Sequence, residues 1–150
     1  FVNGHGGNVN SVKAAFSEVQ SELGEAKGLR DGGSNHPPDD VRLELHNWWM
    51  GEKTTALRKS LYGDREGYHA TPSEVAVTWF SFPEQKRDVA LGPLEKVTRA
   101  YQGPEDFRKL FPDGRMGSDP SLATVEDGKR LVLLAVDELA ERYRQFLGED

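Results

Sequence analysis

The stretch Val2-Asn3-Gly4-His5-Gly6-Gly7-Asn8 constrains this chain more than any other. One histidine stands among three glycines, between two asparagines, after the short apolar lead Phe1-Val2. Directly behind it Val12, Ala15, Phe16, Val19 and Leu23 recur at i, i+3, i+4, i+7 and i+11, one face of a helix. The order is therefore strand, tight glycine turn, helix. In open α/β sheets ligands bind beyond the carboxyl ends of strands. Glycines at such a turn let the backbone fold sharply and come close to a ligand, a role open here to Gly6. The pattern predicts a first helix from about Val9 to Gly24, with Asn10 or Ser11 as N-cap and Gly24 as its stop.

The segment Val41 to Trp49 reads as a second strand, with Val41, Leu43, Leu45 and Asn47 on one face and Arg42, Glu44, His46 and Trp48 on the other. A helix between two strands implies that they pair in parallel. Further on, Thr54 to Tyr62 predicts a short helix, and Gly63 to Gly67 a polar loop. Thr71, Pro72 and Glu74 give N-cap, first and third helical positions of the next helix. The Pro- and charge-rich passage from Phe82 to Gly103 has little periodicity, and Pro104 to Phe111 predicts another short helix. Two turns follow, Pro112-Asp113-Gly114 and Met116 to Pro120. The last helix is predicted over Val125–Leu147 with Thr124 as N-cap and a buried stripe of Val132, Ala135, Val136, Leu139, Tyr143, Phe146 and Leu147. The expected fold is α/β, a largely parallel central sheet with helices on both faces, in one domain over residues 1–150. Because Phe1-Val2 reads as the tail of a strand already under way, further residues are expected upstream.

Charge and composition narrow the function. The net charge of -6 leaves no basic footprint for nucleic acid, and Arg99, Arg108 and Arg115 read as solvated surface. No apolar run approaches the roughly 18 residues of a membrane span. With no cysteine, a thiolate nucleophile and cysteine-ligated zinc are excluded, so any metal falls to His, Asp or Glu.

His5 can bond local backbone in its turn, or it can serve as a metal ligand or catalytic group. A polar strand end shifts weight toward the second use, but the setting alone leaves both open. The glycines also begin like a dinucleotide fingerprint, but Val9 holds its third glycine position and no Lys-Ser or Lys-Thr pair is present for a phosphate loop. His69 precedes Glu74 by five residues across a helix start, which can place both side chains at one helix N-terminus. For Glu74 the local sequence favours a capping box with Thr71. His5, His69 and Glu74 supply two imidazoles and a carboxylate, donors suited to Zn, Mn or Fe. Three ligands with an open position make a hydrolytic site. His36, in a Pro-Pro loop, and His46, beside Glu44, read as structural or solvated. Trp48 and Trp49 at a strand end can pack in a core or wall a pocket, Trp49 being the candidate for substrate contact.

Together these segments resemble the creatininase (creatinine amidohydrolase) family. Val2-Asn3-Gly4-His5-Gly6-Gly7-Asn8 resembles its central motif, and His69-Ala70-Thr71-Pro72-Ser73-Glu74 its histidine–alanine–glycine…glutamate motif. Phe111-Pro112-Asp113-Gly114 and Met116 to Thr124 resemble its C-terminal signature. The matches come in order and span nearly the whole chain. The resemblance implies a three-layer α/β/α sandwich, often hexameric, with one or two divalent metals, hydrolysing small cyclic or linear amides. It implies His5 as a metal ligand, His69 as the catalytic histidine and Glu74 as metal ligand or helper of the bound water. Gly7 stands where creatininase itself has a glutamate, and Thr71-Pro72 replaces the usual Gly-Glu. The family's early Glu, His and Asp ligands would lie upstream of Phe1, so the chain resembles the C-terminal part of a member. The expected protein is a cytoplasmic, homo-oligomeric metal-dependent amidohydrolase with a small-molecule amide substrate and no nucleic-acid or membrane partner. The competing expectation is a non-catalytic fragment or scaffold of the same fold without a full metal site.

Overall fold

The computed structural model describes residues 1–31, 41–94 and 99–149. His36 and the Pro-Pro turn around it lie outside the described residues. Two compact units divide the chain, Phe1–Met50 and Gly51–Asp150.

In the first unit, strand β1 (Val2–Asn3) pairs in parallel with β2 (His46–Asn47), Val2 opposite His46 and Asn3 opposite Asn47. The pairing expected from the intervening helix is present, but the sheet is small. The predicted strand from Val41 to Trp49 pairs only at His46–Asn47, and Trp48–Met50 turns into a 3-10 helix. Residues 41 to 45 do alternate between half-buried and exposed. Alternation fixes which face a side chain takes, not whether a partner strand runs beside it. β1 offers just two paired residues, extended by the Phe1 carbonyl, which accepts from the His46 amide at 2.9 Å.

Helix α1 (Val9–Asp31) grows straight out of a 3-10 turn at Gly6–Asn8. Asn10 and Ser11, expected as caps, therefore sit inside its first turn. Gly24 does not stop it. Glycine in a helix interior costs about 1 kcal/mol relative to alanine, and good helix formers on both sides (Glu22, Glu25, Ala26, Lys27) carry the helix through it to Asp31. Val12, Phe16 and Leu23 are half-buried, while Ala15 and Val19 are exposed. The Phe16 ring packs on Phe1 with centroids 5.0 Å apart.

The second unit is helical: α2 (Glu52–Tyr62), α3 (Pro72–Ser81), α4 (Pro104–Leu110) and α5 (Val125–Leu147). α3 lies along α5, and Ala76, Leu131 and Ala135 are buried there. Gly128 makes this contact possible, because a Cβ there would overlap the Ala76 carbonyl and the Phe80 Cβ. α5 begins as predicted: the Thr124 hydroxyl accepts from the Asp127 amide at 3.0 Å. Its buried face differs from the predicted stripe. Gly128, Leu131 and Ala135 are buried, Val132, Leu139 and Phe146 half-buried, and Val136, Tyr143 and Leu147 exposed. An apolar arc this wide, spanning more than the face that meets α3, does not reveal which part of it is covered. α2 starts at Gly51, which has no side chain to cap it; Glu138 on α5 does so instead. Its carboxylate accepts from the Lys53 amide at 2.7 Å, the Thr54 amide at 2.9 Å and the Thr54 hydroxyl at 2.6 Å.

Candidate functional site

The glycine turn of the first unit is built around Asn3, a buried residue. Its Nδ2 donates to the His5 carbonyl at 2.8 Å and to Asn47 Oδ1 at 2.8 Å. Its Oδ1 accepts from the His5 amide at 3.2 Å and from Asn8 Nδ2 at 3.1 Å. The Asn8 amide adds a bond to the His5 carbonyl at 3.1 Å. One asparagine thus satisfies the turn's backbone and ties it to β2, which fixes the stem of an exposed His5. The imidazole lies back over Gly7, where a Cβ would stand 3.2 Å from its Cδ2. A side chain at Gly7 would ask the imidazole to shift by a few tenths of an ångström.

Trp49 reaches the same turn, its Cζ2 being 3.9 Å from where a Gly6 Cβ would sit. Trp48 donates from Nε1 to the Gly4 carbonyl at 3.3 Å and meets Trp49 edge-on at 6.2 Å. The structure therefore brings His5, Gly6 and Trp49 together at one turn. His46 lies half-buried on β2, 2.8 Å from Glu44, the structural place expected of it.

The second unit holds His69 and Glu74. Thr71 caps α3, and the capping box is complete: the Glu74 amide donates to Thr71 Oγ1 at 3.2 Å, and the Thr71 amide to Glu74 Oε2 at 3.3 Å. Glu74 is thus the capping residue that its position predicts, half-buried at the helix N-terminus. Two residues before the cap, His69 is exposed, its ring edge-on to Phe107 at 6.2 Å, and Phe107 stacks in turn with Tyr101 and Phe111. The His69 carbonyl accepts from the Ser118 hydroxyl and from the Met116 amide at 3.4 Å, while the Tyr68 amide donates to the Met116 carbonyl at 3.0 Å. Gly67, at φ +62°, lets the two segments touch, because a Cβ there would overlap the backbone of Met116 to Ser118. Ala70, between His69 and the cap, has φ 53°, a left-handed conformation that an L side chain adopts at a cost. The second and third sequence motifs therefore form one piece.

Behind the helix start lies a polar network that sequence reasoning missed. Glu66 is 9% exposed although it falls in the predicted polar loop. It pairs with Arg58 at 2.7 Å and accepts from the Ser73 hydroxyl. Nothing local separates Glu66 from Asp64 or Arg65; an ion pair between different elements leaves no short-range sequence signal. Asn3 was missed in the same way, as a polar residue in a polar turn. Tyr62 is buried nearby; burial first, then the fields of Asp127 and Glu66, hold its phenol well above the ordinary range.

Arg115 overturns the solvated reading. It is 7% exposed, pairs with Asp113 at 2.6 Å, and donates to the Gly92 and Pro93 carbonyls at 2.9 and 3.3 Å. These bonds to Arg115 hold the Asp113 carboxyl below the usual range. Arg99 is paired too, its guanidinium meeting both oxygens of Asp106 at 2.6 and 2.7 Å. Arg108 is exposed.

His5 belongs to one unit, His69 and Glu74 to the other. Among the described residues no group of three or more His, Asp or Glu side chains converges to hold a metal ion. A divalent ion of the hydrolytic kind needs at least three protein ligands, so the described residues do not by themselves fit one.

A short parallel strand pair is joined through a helix, with a histidine on the turn after the first strand, and the rest of the described secondary structure is helical. The family model described as creatininase, creatinine amidohydrolase, matches residues 1–143. The chain belongs to the creatininase family. No curated protein matches it.

Proposed function

We propose that this protein is an amidohydrolase that cleaves a C–N amide bond of a small, cyclic or linear molecule. Family membership over residues 1–143 carries the reading. The two turns that present His5 and His69 support it, since each is fixed by backbone bonds while its imidazole stays accessible. Amide hydrolysis needs a proton delivered to the departing nitrogen, and His69 is the proposed donor. The carbonyl clasp on Met116 and Ser118 and the ring contact with Phe107 restrict where that imidazole can stand, which is how positioning lowers a barrier. Gly6 and Trp49, which meet at the turn of the first unit, are the proposed substrate contacts there.

A divalent ion (Zn, Mn or Fe) is the proposed cofactor; His5 in the first unit and Glu74 in the second are each a candidate ligand, and further donors would be needed to complete a site. Such an ion would polarise the amide carbonyl and activate water. The family fold extends the reading to a three-layer α/β/α sandwich in one domain, assembling as a homo-oligomer, and to a cytoplasmic protein. No helix among the described residues is long and apolar enough to cross a membrane. The test is ammonia or amine release from creatinine and a panel of cyclic and linear amides. His69→Ala should lower kcat by about 10²- to 10⁴-fold with the melting temperature nearly unchanged; an undiminished rate would sink the proposal.

The second reading is a non-catalytic scaffold of the same fold. Elemental analysis of the purified protein separates the two. Stoichiometric metal with amide turnover marks the enzyme, and a folded, metal-free, inert protein marks the scaffold.

A further inference from the structure

We propose that the second unit carries a binding pocket for a small organic monoanion with an apolar body, a carboxylate in the simplest case. Its lining includes neither His5 nor His69 nor Glu74, so its failure would leave the amidohydrolase reading standing.

The cavity measures about 520 Å³, inside the roughly 300–1,000 Å³ of small-molecule sites. Its apolar walls come from Val75 and Trp79 on α3, from Val89 and Leu91 on the segment after α3, and from Pro120 and Ala123 before α5. Val89 and Leu91 are 67% and 38% exposed. Apolar side chains left uncovered along a concavity gain by burial against an apolar occupant.

The wall that faces α3 is tied down at both ends. A 3-10 turn at Pro83–Gln85 follows α3, and the Lys86 amide donates to the Pro83 carbonyl at 3.2 Å. At the far end the buried Arg115 donates to the Gly92 and Pro93 carbonyls. Residues 86 to 91 span the gap between these anchors. The passage that has little periodicity in sequence is thus the second wall of the pocket.

Charge selects the ligand. Lys86, Arg87 and Asp88 all line the cavity. Lys86 Nζ stands 5.0 Å from the centroid of the Trp79 ring, a contact that positions the ammonium without neutralising it. Its approach to Asp88 is loose at 3.9 Å, and the Asp88 side chain is 94% exposed, where an ion pair is worth little. Arg87 adds a planar fork of the kind that grips a carboxylate at two points. Two cations against one carboxylate leave a single positive charge here, in a chain whose net charge is -6. A monoanion balances that charge while its apolar body covers Val89 and Leu91. A cation would be repelled, and a neutral apolar molecule would leave Lys86 and Arg87 unanswered.

The experiment uses three probes built on one ring: naphthoate, naphthalenemethanol and naphthylmethylammonium. Each is titrated into the isotope-labelled full chain, and NMR follows the amides of Val75, Trp79 and Ala123 together with the Trp79 indole. Naphthoate should shift these signals saturably and bind about fivefold tighter than the alcohol, the size of one partly exposed ion pair. The ammonium probe should bind more weakly than the alcohol. Added salt should erase the preference for naphthoate, because it screens exposed charges. Lys86→Gln combined with Arg87→Gln should bring naphthoate down to the affinity of the alcohol. The same change should leave the melting temperature near that of the parent, since neither side chain is buried. Equal affinity for naphthoate and the alcohol, a preference that survives the double variant, or the lack of a saturable shift at Val75, Trp79 and Ala123 overturns the proposal.

Discussion

At Ala70 the backbone stands at φ 53°, between the candidate catalytic histidine and the cap of α3. The left-handed region costs a residue with a Cβ about 1–2 kcal/mol, and such conformations persist where the surroundings over-determine them. Here the surroundings are the bonds from Ser118 and Met116 to the His69 carbonyl on one side and the capping box on the other. Ala70→Gly should therefore raise stability by up to about 1 kcal/mol, read as a higher melting temperature. Activity should be retained only if the strain is incidental; a more stable but slower variant would mean that it aims His69. Among individual residues, the capping role of Glu74 was legible because a capping box is a short motif whose spacing carries meaning. Asn3, Arg58, Glu66 and Ser73 were not, because their partners come from other elements or from a turn geometry that composition does not encode.

Elements were legible where a local signal stops or starts them. Thr71 and Thr124 cap the helices they were expected to cap, since an N-cap bond joins neighbours in sequence. Gly24 misled because glycine terminates a helix only where the chain takes a left-handed turn. The buried face of α5 misled because tertiary contact chose part of a wide apolar arc. Gly128 is decisive there: Gly128→Ala drives a methyl into the Ala76 carbonyl, and α3 must shift. The expected loss is about 1–3 kcal/mol, measured by denaturant titration; a loss below about 0.5 kcal/mol would show that α3 and α5 pack more loosely than described.

Glu138 makes the junction of α2 and α5 sensitive to acid. Burial pushes its carboxyl up, but hydrogen bonds from the Thr54 hydroxyl and the Lys53 and Thr54 amides push it further down, so the net shift is below the ordinary value. The unfolded state then binds more protons than the folded state in acid. The stabilisation is complete above the unfolded glutamate value of about 4.3 and is lost as pH falls through the lower folded value. Glu138→Gln should flatten the stability–pH curve in that window and cost about 1 kcal/mol at neutral pH, as for a lost helix cap. A curve parallel to that of the parent would reject this assignment.

For the whole molecule, the α/β class and the parallel pairing of β1 with β2 followed from the order strand, turn, helix, strand. The layered sheet did not emerge in the same way. Strand partners are chosen across long separations, and a periodic segment is silent about its neighbours. If the family chemistry holds, ligand binding must register in global stability. Mn²⁺ or Zn²⁺ at about 100 times its dissociation constant should stabilise the folded protein by about 2.7 kcal/mol. Chelation should abolish the gain, and His5→Ala should blunt it; a melting temperature indifferent to metal would favour the scaffold.

The clasp of Gly67 and His69 on Met116 and Ser118 has a practical reach beyond catalysis. Two stretches nearly fifty positions apart share one piece of backbone geometry, so they cannot be exchanged independently. A chimera that borrows residues 60–75 from one relative and 110–124 from another must match both sides of the joint or misplace its imidazole. Loop grafts meant to broaden substrate choice should carry the two segments as a single cassette.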